Sequence, residues 1–240
     1  MAETDGLSGL AHANLKVRKQ STAERAAGVL RDLIVRGEIV PGQPLRETEL
    51  APALGVSRNT IREALRILAR EALVAPSHRN VYTVVEVSAA DVPDIFRARG
   101  MIEFAAVKAI RADDSGLELG ELEAAIDALD KLDGEVERWE VVAADVAFHT
   151  ALVAQAKSPR LSAMYKQLEG EIRLCLCVST QFQVPLEQLK AEHAELMAML
   201  RQRDYDGFER ELARTLEDAT DRVVAMLATP ASNGASAENA

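Results

Sequence analysis

Aromatic side chains are scarce in this chain, at 4% of 240 residues, and cysteine occurs only twice. Cys175 and Cys177 stand two apart in a helix-prone stretch, which turns them to different faces and argues against a mutual disulfide. They read as packing residues of a protein kept in a reducing compartment. No apolar run approaches the roughly 18 residues that span a bilayer. The first residues carry Glu3 and Asp5 with no hydrophobic segment behind them, so no secretory leader is expected. The expectation is a cytoplasmic protein that makes no membrane contact. Internal repeats are also lacking.

Basic charge is in deficit, at 28 Lys+Arg against 38 Asp+Glu, but the deficit is uneven. Residues 15–88 hold 12 basic and 8 acidic residues, a net of +4, whereas residues 89–240 hold 16 and 28, a net of −12. A basic head on an acidic body suits a protein of which only the head meets phosphate. The length accommodates two cores. We expect short polar tails at 1–19 and 229–240, disordered, a first domain over 20–87 and a second over 88–228.

The run ETELAPALGVSRNTIREALRILARE, Glu47 to Glu71, is the most informative segment. Leu50, Ala51 and Leu54 pattern a short helix, and Gly55-Val56-Ser57 makes a tight turn. Ile61, Ala64, Leu65, Leu68 and Ala72 then mark the buried face of a second helix. Arg58, Asn59, Arg62 and Arg66 lie off that face, beside Ser57 and Thr60. Arginines four apart are, by themselves, the solvated side of a helix, and Glu63 and Glu71 are available to pair with them. The flanks change the reading. Leu73–Pro76 and Val81–Val85 are β-prone runs joined by Ser77-His78-Arg79-Asn80, a hairpin with a basic tip. Upstream, Ser21 and Glu24 have the spacing of a capping box ahead of an apolar stripe at Ala26, Val29, Leu30, Leu33 and Ile34. Gly37 suits the stop of that helix, and Val40–Pro44 reads as a turn. Pro52 suggests that the helix over Leu50 is kinked or starts late. Helix, turn, helix and hairpin make a winged helix, whose second helix offers arginine forks to guanine edges.

The segment GEIVPGQPLRETELAPALGVSRNTIREALRILAREALV closely resembles the N-terminal domain of the GntR family of bacterial transcription regulators. The resemblance implies that Arg58 and Arg62 contact operator bases and that the wing-tip His78, with Arg79 beside it, reaches the minor groove. Some family members carry a further DNA-contacting arginine where this chain has Thr48, and Arg46 stands two residues before it. Ala72 replaces the family's usual glycine before the wing.

From Ser88 onward the pattern is helical, with helices expected over Ala90–Arg111, Glu118–Leu132, Glu135–Ala156, Pro159–Gln183, Leu186–Gln202 and Tyr205–Leu227. A mainly α protein follows: a winged helix-turn-helix, then an all-α antiparallel bundle able to enclose a polar pocket. Asp145 and His149, four apart, share a helix face, and His193 sits near the start of the penultimate helix. Such a set on neighbouring helices holds a divalent cation or, more commonly, forms ordinary hydrogen-bonded pairs. Arg173, mid-helix in the apolar stretch EIRLCLCV, either clamps a carboxylate in that pocket or makes an ion pair.

DVAFHTALVAQAKSPRL and EHAELMAMLRQRDYDGFERELARTLEDA resemble the FCD ligand-binding domain of one GntR branch, over roughly residues 90–227. Metal-binding members of that branch use an aspartate and three histidines; the first three ligands match Asp145, His149 and His193, and the fourth falls at Thr215. Arg99 matches a position that faces the effector. The resemblance thus implies an effector pocket of Arg99, Asp145, His149, His193 and Thr215, to which the reading of the residues adds Arg173, and one divalent metal ion (zinc, manganese or nickel) on Asp145, His149 and His193, or direct effector binding by the same groups. The function to expect is a homodimeric cytoplasmic repressor that binds a pseudo-palindromic double-stranded DNA operator and answers to a small organic acid. Two other classes stay open: a metal-dependent all-helical enzyme, and an architectural DNA binder with no effector.

Overall fold

A computed structural model describes residues 21–77, 81–113, 115, 117–134, 136–177 and 185–228. The two tails expected to be disordered, the wing tip with His78 and Arg79, and the expected helical residues 178–183 lie outside the described residues.

The head begins with α1 (Thr22–Val35). Its capping box forms as the Ser21 and Glu24 spacing predicts: the Glu24 amide donates to Ser21 Oγ at 3.1 Å, and the Ser21 amide to Glu24 Oε2 at 2.5 Å. A two-residue strand, β1 (Pro44–Leu45), follows where the sequence shows only turn chemistry; two residues are too few for any periodicity to be read. Next come α2 (Glu47–Ala53) and α3 (Arg58–Arg70). Contrary to the sequence expectation, α2 is not delayed by Pro52. The proline sits one residue from the helix end, where only one backbone bond is forgone. Ser57 caps α3 by accepting the Thr60 amide at 3.1 Å, and Ile61, Ala64, Leu65 and Leu68 form its buried face. That face stops short of Ala72, which lies past the helix end at φ 54°. This left-handed conformation is the reason a glycine suits the position better. The wing pairs β2 (Val74–Pro76) with β3 (Tyr82–Val84), antiparallel, Val74 opposite Val84 and Pro76 opposite Tyr82. β1 adds to the other edge of β3.

Six helices make up the body among the described residues: α4 (Val92–Ala112), α5 (Gly120–Asp130), α6 (Arg138–Gln155), α7 (Pro159–Cys177), α8 (Leu186–Gln202) and α9 (Tyr205–Ala228). Helix α4 runs through the middle, packed on α6, α7 and α9. Phe148, Tyr165, Phe208 and Leu152 are among the fully buried side chains of the core around it. Burial raises the Cys175 and Cys177 thiols to about 12 and about 11, so both are inert packing groups. No helix among the described residues is long and apolar enough to cross a membrane.

Head and body meet along α7. Leu174 of α7 is buried within the head's own core cluster, with Leu65, Leu68 and Leu73. A Cβ placed on Gly170 would lie 1.8 Å from the Glu71 carbonyl oxygen, so the α7 backbone touches the chain just past the end of α3. Glu71 is itself held by a two-pronged bond from Arg31, 2.8 Å on each arm. A second link runs from the end of α1 to the start of α6, where the Arg36 guanidinium sits 4.3 Å from the Trp139 ring centroid.

Candidate functional site

Two surfaces carry chemistry. The first is the open side of the head. A groove between α2, α3 and the wing is lined by Arg46, Thr48, Arg62, Arg66, Pro76 and Tyr82 among others. Arg58 and Asn59 are exposed at the start of α3, and Ser57 and Thr60 are tied into its cap. Arg62 is exposed but occupied: its Nε and Nη2 donate to the two Glu47 carboxylate oxygens at 2.8 and 2.9 Å. That bond holds Glu47 below its usual carboxylate range. Arg66 pairs with Glu63 at 2.5 Å and Arg46 with Glu49 at 3.1 Å. Among the described residues, Arg58 makes no ion pair. The face thus carries three arginines held in ion pairs and one exposed arginine, Arg58, outside any of them.

The second surface is a cavity of about 80 Å³ inside the body, lined by residues of α4, α6, α7, α8 and α9. Asp145 and His149 project into it from α6, His193 from α8, Arg99 from α4 and Thr215 from α9. One ligand atom from each of Asp145, His149 and His193 lies within 4.8 Å of the others. His193 Nε2 is 3.2 Å from Asp145 Oδ1 and His149 Nε2 is 3.9 Å from the same oxygen. Asp145 Oδ2 and His193 Nε2 are nevertheless buried with no hydrogen-bond partner, so the close Asp145–His193 approach lies outside hydrogen-bonding angles. Buried polar atoms left so are rare and call for an explanation.

Both imidazoles are fixed from behind. His193 Nδ1 lies 2.9 Å from the Leu189 carbonyl, and His149 Nδ1 lies 3.1 Å from Glu103 Oε2. Each acceptor places the proton on Nδ1, which leaves both Nε2 lone pairs facing the cavity. This is how metal-binding histidines are oriented by an outer shell of carboxylate and carbonyl groups. Glu103, fully buried, also accepts from Arg99 Nε at 2.8 Å and from the Tyr165 hydroxyl at 3.0 Å. Burial pushes the Glu103 carboxyl up, but Arg99 and His149 outweigh it and hold it at about 2. Burial, then Arg99, lowers His149, keeping its lone pair available. Burial opposes charge on His193 too, but Asp145 prevails and raises it. Asp145 is held well below the carboxylate range against its burial, by His193 and His149. On donor type and proximity the three groups fit a divalent cation, two imidazoles and a carboxylate with an open side; a cation bound there would displace the proton that Asp145 favours on His193. Thr215 also lines the cavity, its hydroxyl donating to the Leu212 carbonyl at 3.0 Å.

Arg173 does not join them. The sequence places it in the same pocket, but it projects from the opposite side of α7, into the gap beside the head, and pairs with Glu169 at 2.7 Å. Apolar neighbours along the sequence misled the assignment: Leu174 packs in the head and Ile172 and Cys175 in the body, so the stretch is apolar on both sides of Arg173. The cavity also holds Arg138 and Arg222, which sequence reasoning missed. Their signal is a spacing of seven: Arg138 precedes Asp145 and Arg222 follows Thr215 by two helical turns, on the same faces.

Comparisons with known proteins agree on both halves of this chain. Residues 22–84 match the family model described as "Bacterial regulatory proteins, gntR family", and residues 94–218 match the FCD domain. The chain is 26% identical over 184 residues to the uncharacterized HTH-type transcriptional regulator YdhC of Bacillus subtilis (strain 168), covering 76% of this chain and 82% of that one. It is 27% identical over 221 residues to a probable D-xylose utilization operon transcriptional repressor of Paenarthrobacter nicotinovorans, covering 90% and 94%. Among solved structures, a putative transcriptional regulator GntR from Rhodococcus sp. RHA1 superposes with TM-score 0.73 at 30% identity over 85% of this chain and 97% of that one. The fold also matches E. coli McbR/YncC, with TM-score 0.70 at 22% identity, over 85% and 97%.

Proposed function

Because this chain belongs to the GntR family of bacterial regulators, in the branch that carries an FCD domain, we propose that it is a repressor whose grip on its operator is set by a small organic acid bound in the body cavity. Family and relatives are transcription regulators, so the metal-enzyme alternative falls away. The name of the Paenarthrobacter relative supports the sign of regulation. The observation that carries the effector reading is the pair of buried, unpartnered atoms, Asp145 Oδ2 and His193 Nε2, facing a cavity also lined by Arg99. An architectural binder has no use for them. In this reading Asp145, His149 and His193 would hold one divalent cation, zinc, manganese or nickel, which would supply a Lewis-acidic point for a carboxylate.

In the cytoplasm the protein works as a two-fold dimer, so that two α3 helices meet successive major grooves of a pseudo-palindrome. Arg58 and Arg62 read bases; Arg46, Thr48, Ser57, Asn59, Thr60 and Arg66 hold the backbone or neighbouring edges, and His78 and Arg79 serve the wing. Coupling runs from the cavity through Glu103 to Tyr165 on α7, and along α7 to Gly170 and Leu174 against the head. Acid and operator then weaken each other by the same factor.

Two results check this. Arg62→Ala is expected to lose about 1–3 kcal/mol of discrimination at one base pair, read as a gel-shift series over single-base operator variants; an unchanged series removes Arg62 from the reading set. His149→Ala and His193→Ala are expected to lose bound metal and the response to acid while keeping wild-type operator affinity. If both variants still release the operator when the acid is added, the effector pocket is elsewhere.

A further inference from the structure

Arg138 and Arg222 stand apart from the Asp145/His149/His193 cluster. Both line the cavity, yet among the described residues neither makes an ion pair. Arg138 Nε donates to the Leu176 carbonyl at 3.0 Å, leaving its terminal nitrogens uncommitted. Of the two carboxylates lining the cavity, Asp145 faces the histidines and Glu192 accepts from Gln188 at 3.0 Å, with Arg214 3.6 Å away. Arg99 is already answered by Glu103. Two half-buried guanidiniums therefore share one end of the cavity without a counter-ion. Burial, opposed by Cys177 and Asp145 but reinforced by Arg222, lowers the Arg138 pKa, which places the two cations within each other's field.

Arg138 lies seven residues before Asp145 on α6, two turns or about 10 Å along the same face, and Arg222 lies equally far past Thr215 on α9. Val142, Leu176, Leu189 and Ala219 line the space between. The cavity is thus cationic at one end, metal-ligating at the other and apolar along its walls.

We infer that Arg138 and Arg222 clamp a second anionic group, so that the acid this protein senses is a dicarboxylate, one carboxylate at the Asp145/His149/His193 end and the other between the two guanidiniums. This rests on the acid-effector reading and sharpens it. A monocarboxylate leaves both arginines partly desolvated and uncompensated; a dianion neutralises both ends.

The test is isothermal titration of the full-length chain loaded with zinc, using malonate, succinate, glutarate and adipate against acetate, propionate and butyrate, with operator release followed in parallel. At least one dicarboxylate is expected to bind about 10–100-fold tighter than every monocarboxylate, the range of a charged hydrogen-bonded clamp. Arg138→Gln and Arg222→Gln should each remove most of that preference and leave zinc stoichiometry and monocarboxylate affinity unchanged. Monocarboxylates that bind and release operator as well as the diacids do would overturn the dicarboxylate assignment while leaving the acid-effector reading intact. A preference that survives both substitutions overturns the clamp. If no acid of either class binds, both readings fall.

Discussion

Glu103→Ala will destabilise the body by about 3–5 kcal/mol, the usual consequence of removing one partner of a buried ion pair. The reason is the number of groups that end on this one side chain. Arg99, His149 and Tyr165 all bond to it, and it has no exposure to water that could replace any of them. Arg99 is itself buried and kept charged by Glu103, against a burial that disfavours the charge. With the carboxylate gone, a guanidinium, an imidazole N–H and a phenol face an apolar interior together. Urea titration followed by circular dichroism measures the loss, and a drop smaller than about 1 kcal/mol would mean that water reaches Arg99. A second consequence is separable from the first. His149 loses the acceptor that fixes its tautomer, so divalent-cation affinity should fall about 10–100-fold in whatever fraction of the variant remains folded.

Gly170→Ala is the other large effect, and it comes from a different force. The added methyl would stand 1.8 Å from the Glu71 carbonyl oxygen, and the atom it meets is backbone, at the end of α3. Nothing flexible there can turn aside. Overpacking an ordinary core costs about 1–3 kcal/mol, and here the relief available is separation of α7 from the head. The variant should keep its helical content, lose protection from hydrogen exchange along Glu71–Val74, and bind operator with little or no response to acid. An intact response would show that the signal reaches the head by another route, such as the Arg36–Trp139 contact.

Much of this was legible in the chain, and the boundary of legibility has a physical cause. Capping at Ser21, the buried face of α3, the span Leu186–Gln202 and the hairpin either side of the wing tip depend on neighbours in sequence, and local pattern reveals them. Asp145, His149 and His193 do converge: four-residue spacing puts the first two on one face, His193 is legible from its place on a neighbouring helix, and the resemblance then matches all three. What escaped was long-range. Glu47 grips Arg62 from 15 residues upstream, Tyr165 reaches Glu103 from 62 residues away, and no periodicity announces either bond. Arg173 failed for a related reason: a helix packed on both sides looks apolar throughout, and the sequence does not tell which core a given gap belongs to.

Leu174 has one more consequence. Since the head's core is completed by a side chain from the body, the winged helix is not a transferable cassette. Cut at Ser88, it would expose an unfilled socket beside Leu65, Leu68 and Leu73 and become prone to self-association. Grafted onto a foreign sensor, it would need that sensor to supply a leucine and, four residues earlier, a glycine. Calorimetry of the whole chain should accordingly record one cooperative melting event for both halves.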